Sequence, residues 1–220
     1  MDNTGNPAAR RVLLAGATGL VGQEILRLLL SDATVGTVQV LARRPLAMRH
    51  PKLAAQVVDF AALPDLPGID EAYLALGTTI KAAGSQAAFR AVDFDASLAL
   101  ARAARRAGAR RLGLVSAMGA DSRSRVFYNR VKGELEEAVG ALGFGGLVIA
   151  RPSLLTGDRG ALGQAARPGE RIGALLAGVL RPLIPADYRA IRAADVARAL
   201  LARVPAAQGQ VILRSGAMQQ

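Results

Sequence analysis

Short apolar runs alternate with longer stretches whose apolar residues recur at helical spacing. Arg11–Ala15 reads as a strand. Leu20–Leu30 follows with apolar residues at 20, 21, 25, 26, 28, 29 and 30, the pattern of a helix with one buried face. Val38–Leu41, Gln56–Asp59 and Ala72–Leu76 read as the second, third and fourth strands. Gln86–Ala107 is an alanine-rich helical stretch closed by Gly108. Leu112–Ser116 is a fifth strand, Ser124–Ala141 a helix ended by Gly143, Leu147–Ala150 a sixth strand and Val211–Leu213 a seventh. Strands spaced by helices predict an α/β fold: a mainly parallel, doubly wound sheet of about seven strands with helices on both faces. The Gly- and Pro-rich stretch Thr156–Gly169 is expected to loop over the sheet edge rather than to mark a domain boundary. One domain over 1–220 is the economical reading, with a small substrate-pocket region at about 156–190.

Composition narrows the chemistry. The chain is 220 residues long and 51% hydrophobic, with no cysteine and one histidine, His50. Disulfides, thiolate metal sites and thiol nucleophiles are therefore excluded, and no metal site is expected. The apolar run Ile172–Leu180 is far below the ~20 residues that cross a bilayer. The start, MDNTGNPAARR, lacks a hydrophobic signal core. The expectation is a soluble, cytoplasmic protein with no membrane partner. The net charge is +11, and of the 28 basic residues only Lys52, Lys81 and Lys132 are lysines. Such a balance suits an anionic partner, yet the arginines never run longer than two. Nucleic acid is thus the remote reading and compositional bias the bland one.

Strand one runs into Gly16-Ala17-Thr18-Gly19-Leu20-Val21-Gly22, and a helix begins at once. In G-x-x-G-x-x-G one glycine makes the sharp turn, one lets backbone approach a pyrophosphate, and one lets helix pack on strand. The helix N-terminus then offers free N–H groups to phosphates. The strand before and the helix after are the context that makes this a dinucleotide site rather than a structural turn. An acidic residue at the end of strand two would bind ribose hydroxyls and favour NAD. Here stand Arg43 and Arg44, whose guanidinium groups suit a 2′-phosphate, so NADP(H) is expected. Asp59 either accepts from the adenine amino group, with Phe60 near the ring, or caps a turn. Leu76, Gly77 and Thr78 end strand four, where small residues let a cofactor cross the sheet edge.

Ser116 ends strand five, and twelve residues later Tyr128-Asn129-Arg130-Val131-Lys132 forms a Y-x-x-x-K. On a helix, i and i+4 share a face, so phenol and ammonium point the same way. A neighbouring cation lowers a phenol pKa from its ordinary value near 10, enabling general acid–base work near neutrality. Ser116 is placed to hydrogen-bond a substrate carbonyl.

These motifs together resemble the short-chain dehydrogenase/reductase superfamily, and more narrowly its atypical branch related to Tat-interacting-protein oxidoreductases. The resemblance is carried by GATGLVG, ALGTT, KAAGSQAAFRAVDFDASLALARAARRAGARRLGLVSAMGA, SRVFYNRVKGELEEAV and IARPSLLTGDR, spanning about Arg11 to Arg159, with Ile191–Ala197 also similar. It implies a Rossmann-type sheet, an NADP(H) site that includes Tyr128 and Lys132, and Ser116, Tyr128 and Lys132 as catalytic set. It also implies that Arg151, Pro152, Ser153 and Leu154 border the nicotinamide. Two departures stand out. Relatives often carry an asparagine for a proton relay where this chain has Val92-Asp93-Phe94-Asp95, and a second serine where it has Ala117.

The expected activity is hydride transfer between NADP(H) and a small carbonyl or alcohol, with tyrosine as general acid/base. The alternative is a catalytically silent NADP(H)-binding protein that senses redox state and acts through a protein partner. Both a monomer and a homodimer fit the sequence.

Overall fold

The computed structural model describes residues 9–156 and 185–219. Seven strands form the main sheet: β1 (Arg10–Ala15), β2 (Val35–Ala42), β3 (Leu53–Val57), β4 (Glu71–Leu74), β5 (Arg111–Val115), β6 (Gly146–Arg151) and β9 (Gly209–Arg214). All are parallel, in the order β3-β2-β1-β4-β5-β6-β9. A separate pair, β7 (Leu155–Thr156) and β8 (Ile191–Arg192), lies beyond β6. The strand order reverses between β1 and β4, the switch point where open α/β sheets hold ligands at the carboxyl ends of their strands.

Sheet burial explains the apolar runs. Val12, Leu13, Leu14 and Ala15 of β1 are all fully buried, as a central parallel strand requires. Because side chains alternate, Val12 and Leu14 enter one core while Leu13 and Ala15 enter the other. The first core packs α1 (Leu20–Ser31) beside α6 (Ala193–Arg203) through Ile25, Leu29, Val196 and Leu200. The second packs α4 (Ser97–Arg106) and α5 (Phe127–Gly140) through Leu100, Ala104, Leu135 and Val139.

Several boundaries differ from the sequence pattern, each for a local reason. β3 runs from 53 to 57 rather than 56 to 59; it is an edge strand with residues 54–57 exposed, held by pairing to β2 rather than by burial. β4 stops at Leu74, and the chain leaves the sheet through 75–79. The expected helix over 86–107 starts as α3 (Gln86–Arg90), widens into a π turn over Ala91–Ala96 and resumes as α4. A short α2 (Ile80–Ala83) precedes it. α5 starts at Phe127, not Ser124, so Tyr128 sits in its first turn. A last short helix, α7 (Ser215–Met218), follows β9. The loop expected over Thr156–Gly169 and most of the pocket region at 156–190 lie outside the described residues. Among the described residues no helix is long and apolar enough to cross a membrane, and no cluster of acidic or histidine side chains could hold a metal.

Candidate functional site: a dinucleotide cleft and two pinned side chains

The glycine loop sits at the switch point. Gly16 has φ +86°, and a Cβ there would overlap the Ala75 carbonyl beyond β4. A Cβ on Gly22 would overlap the Gly16 carbonyl, so helix and loop approach to backbone contact. Gly19 is the N-cap of α1, has no side chain to cap it, and its own N–H bonds back to the Gly16 carbonyl at 3.0 Å. The first-turn N–H groups of α1 are thus left without a side-chain acceptor, which suits a phosphate. Thr18 is exposed, Leu20 half-buried, and Val21 packs into the core. A bound dinucleotide fits this cradle on geometry alone.

Arg43 and Arg44, just past β2, are exposed and make no ion pair with the described residues. The Oδ1 of Asp59 accepts from the Ala61 N–H at 2.9 Å, capping a turn two residues beyond the end of β3. Phe60 is buried in the second core. Leu76 and Thr78 are half-buried and Gly77 is exposed, all at the mouth beyond β4.

Tyr128 and Lys132 both belong to α5, one turn apart. The Tyr128 ring packs on Phe89 of α3 with centroids 5.4 Å apart. Lys132 is buried, and its Nζ lies 2.6 Å from Oδ1 of Asp93, itself wholly buried in the π turn. Oδ1 makes no hydrogen bond by direction, so the contact is an ion pair held by charge. The other oxygen, Oδ2, accepts from the Thr78 N–H at 3.0 Å. One carboxylate therefore ties α5 to the loop beyond β4. A Cβ on Gly77 would lie 3.8 Å from Oδ1 and 3.9 Å from Nζ, so the pair sits directly beneath that loop. Asp93, in the stretch 92–95 set apart in the sequence, is the partner of Lys132.

Ser116 is pinned in the same manner. Its Oγ donates to Oε1 of buried Glu136 at 2.5 Å. Arg151, ending β6, grips both oxygens of Glu136, with Nη2–Oε2 at 2.5 Å and Nε–Oε1 at 3.0 Å. Hydrogen bonding to Glu136 holds Arg151 above the ordinary arginine value. The Arg151 guanidinium is thus engaged by Glu136. Pro152 is buried, and Leu154 is exposed. The Ser153 N–H donates to Oγ of Ser215 at 2.8 Å and its hydroxyl to the Arg189 carbonyl.

Asp93 and Glu136 are the residues that reading the sequence missed. Glu136 had a signal: Tyr128, Lys132 and Glu136 continue an i, i+4, i+8 series on one helix face. Asp93 had only its charge inside an otherwise helical pattern. A groove of about 620 Å³ runs between α5, the 120–122 loop and β9; Glu136 and Arg151 line it, whereas no glycine-loop residue does.

Comparison with known proteins agrees with the fold. A model of the NAD(P)H-binding family matches residues 16–145. "Protein fmp52, mitochondrial" of Emericella nidulans is 38% identical over 179 residues, covering 77% of this chain and 75% of that protein. Protein HTATIP2 of Rattus norvegicus is 34% identical over 199 residues, covering 87% and 80%. The solved structure of MoeE5 in complex with UDP-glucose and NAD superposes with a TM-score of 0.69 at 19% identity, covering 92% of this chain and 75% of that one; it shows likeness of fold. The mitochondrial designation of the fungal relatives overturns the cytoplasmic expectation. That expectation rested on the absence of a signal core, which bears on secretion only. A sheet wound as a Rossmann fold, a glycine cradle at its switch point and these relatives together make the chain a member of the NAD(P)H-binding family, in the atypical short-chain dehydrogenase/reductase branch.

Proposed function

We propose that the protein is an NADP(H)-dependent oxidoreductase that interconverts a small carbonyl compound and its alcohol. Gly16, Thr18, Gly19 and the first turn of α1 hold the pyrophosphate. Arg43 and Arg44 take the 2′-phosphate, their guanidinium groups being exposed at the end of β2 and without an ion pair among the described residues. Leu76, Gly77 and Thr78 line the path along the sheet edge. When bound, the nicotinamide supplies or accepts the hydride. Tyr128 gives the proton to the substrate oxygen in reduction and removes it in oxidation. Lys132 holds the ribose from the same helix face, one turn on. Ser116 orients the substrate from the neighbouring strand.

The observation that carries this reading is the position of Lys132. Its ammonium is delivered from α5 to beneath Gly77, at the carboxyl end of β4 beside the switch point. A surface helix lysine would have no reason to be buried there with a carboxylate of its own.

The test is a carbonyl screen following NADPH oxidation, run beside the Tyr128→Phe variant. Turnover is expected from the wild type and a loss of roughly 10²–10⁴-fold from the variant, with NADPH affinity by fluorescence unchanged. Tight NADPH binding with no oxidation across the screen would support the silent, partner-binding reading instead.

A further inference from the structure

A lysine stem is long and flexible, and a buried ammonium without a counter-charge is costly. Lys132 is buried, and Asp93 is the carboxylate set against it, Nζ to Oδ1 at 2.6 Å. Asp93 is held in turn from its other oxygen, Oδ2 accepting from the Thr78 N–H at 3.0 Å. The ammonium is thus fixed relative to the loop beyond β4 and not only to its own helix. It carries three N–H donors, more than one carboxylate oxygen takes, so donors remain for a ligand.

The sheet order says which ligand group that is. β2 flanks β1 on one side and β4 flanks it on the other. The glycine cradle follows β1, Arg43 and Arg44 follow β2, and the Asp93–Lys132 pair lies under Gly77 beyond β4. Gly16 of the cradle meets that same loop, since a Cβ on it would overlap the Ala75 carbonyl. Gly77 is two residues further along, at most about 7 Å of chain. A dinucleotide carries a ribose directly on each side of its pyrophosphate. With the 2′-phosphate half on the β2 side, the other ribose passes to the β4 side, toward Lys132.

Resting on the function proposed above, we propose that Asp93 is a positioning residue: it sets the Lys132 ammonium against the nicotinamide-side ribose and locks that setting to the loop beyond β4. Asp93 has no exposure, so it acts through Lys132 and not on the cofactor itself. A preset ammonium meets the ribose hydroxyls without first losing the freedom of its stem, and the saving appears as affinity. Asp93→Asn keeps the shape and an acceptor for Thr78 while removing the charge that holds Lys132.

The experiment is calorimetric titration of wild type, Asp93→Asn, Lys132→Met and the double variant with two ligands. NADP⁺ carries both riboses, whereas 2′,5′-ADP carries only the adenosine half. In Asp93→Asn the affinity for NADP⁺ is expected to fall roughly 10-fold, with 2′,5′-ADP unchanged. Lys132→Met should show the same selective loss, and adding Asp93→Asn to it should change neither affinity further, since no ammonium is left to position. A carboxylate with a purely structural role would weaken both ligands together, because a partly unfolded population lowers every affinity by the same factor. Equal losses for the two ligands, no loss for either, or a selective loss from Asp93→Asn that persists in the Lys132→Met background overturns the inference while leaving Lys132 at the ribose. Unchanged NADP⁺ binding by Lys132→Met overturns that placement of Lys132 itself, and this inference with it. Should Asp93→Asn fail to fold, Asp93→Glu decides: it keeps the charge but moves it by one methylene, and the same selective loss is expected, with equal or no losses overturning the inference.

Discussion

Replacing Lys132 with methionine keeps the stem and deletes the charge. The partner carboxylate of Asp93 has no exposure at all, and Lys132 is 3% exposed. Breaking a buried pair by removing one member leaves an uncompensated buried charge, at a cost of about 3–5 kcal/mol. The Thr78 N–H still donates to Oδ2 of Asp93, which places the expected loss near the lower end. For a chain of this size about 3 kcal/mol lowers Tm by roughly 6–12 °C. Adding Asp93→Asn removes the second charge and keeps an acceptor for Thr78. The double variant should therefore regain most of the loss, since burying neither charge avoids both desolvation penalties. The assay is urea unfolding followed by circular dichroism at pH 7 without cofactor, because a ligand that binds only the folded state would mask the difference. A loss under about 1 kcal/mol for Lys132→Met, or a double variant no more stable than the single one, would refute the claim that this pair is a buried, mutually dependent unit.

Other consequences follow from the same geometry. Arg43→Ala together with Arg44→Ala should weaken NADPH binding by roughly 10–100-fold, as loss of charge-assisted hydrogen bonds does, while NADH affinity stays unchanged; equal losses for both cofactors would count against a 2′-phosphate contact. Gly22→Ala forces a Cβ into the Gly16 carbonyl, so both cofactor affinity and Tm should fall; a variant that keeps both would mean the loop can spread. Asp195, in the first turn of α6, is held below the ordinary aspartate range by hydrogen bonds and charge from Arg192, at 2.9 Å, with Arg198 adding to them. Its stabilising contribution is complete above about pH 4 and drains away as pH falls through the lowered folded value. Asp195→Asn should flatten the acid limb of a Tm-against-pH curve in that window, and an unchanged limb would remove Asp195 from the account.

The sequence made much of this legible because burial and chemistry coincide there. Val12–Ala15 is apolar because both faces of β1 are covered, and its exit into Gly16 marks the cradle in the same stroke. The i, i+4 spacing of Tyr128 and Lys132 survives as a shared helix face. β3 was harder to read: its alanines and Gln56 are exposed on an edge strand, so hydrophobicity carried no boundary. The π turn over 91–96 was invisible too, since helical periodicity does not register one widened turn. Asp93 and Glu136 escaped for a common reason. Buried carboxylates are defined by partners distant in sequence, Lys132 for the one, Ser116 and Arg151 for the other. The i, i+4, i+8 spacing on α5 marks the face that Glu136 shares but not its partners, and no spacing marks Asp93.

The central claim is that NADP(H) lies along the carboxyl ends of β1 and β4 with its nicotinamide presented to Tyr128. A crystal structure of the NADP⁺ complex tests it most directly. The account requires pyrophosphate on Gly16–Gly19 and the start of α1, the 2′-phosphate against Arg43 or Arg44, and Tyr128 beside the nicotinamide with Lys132 on its ribose. A dinucleotide bound in the groove between α5 and β9, or a nicotinamide remote from Tyr128, would contradict it.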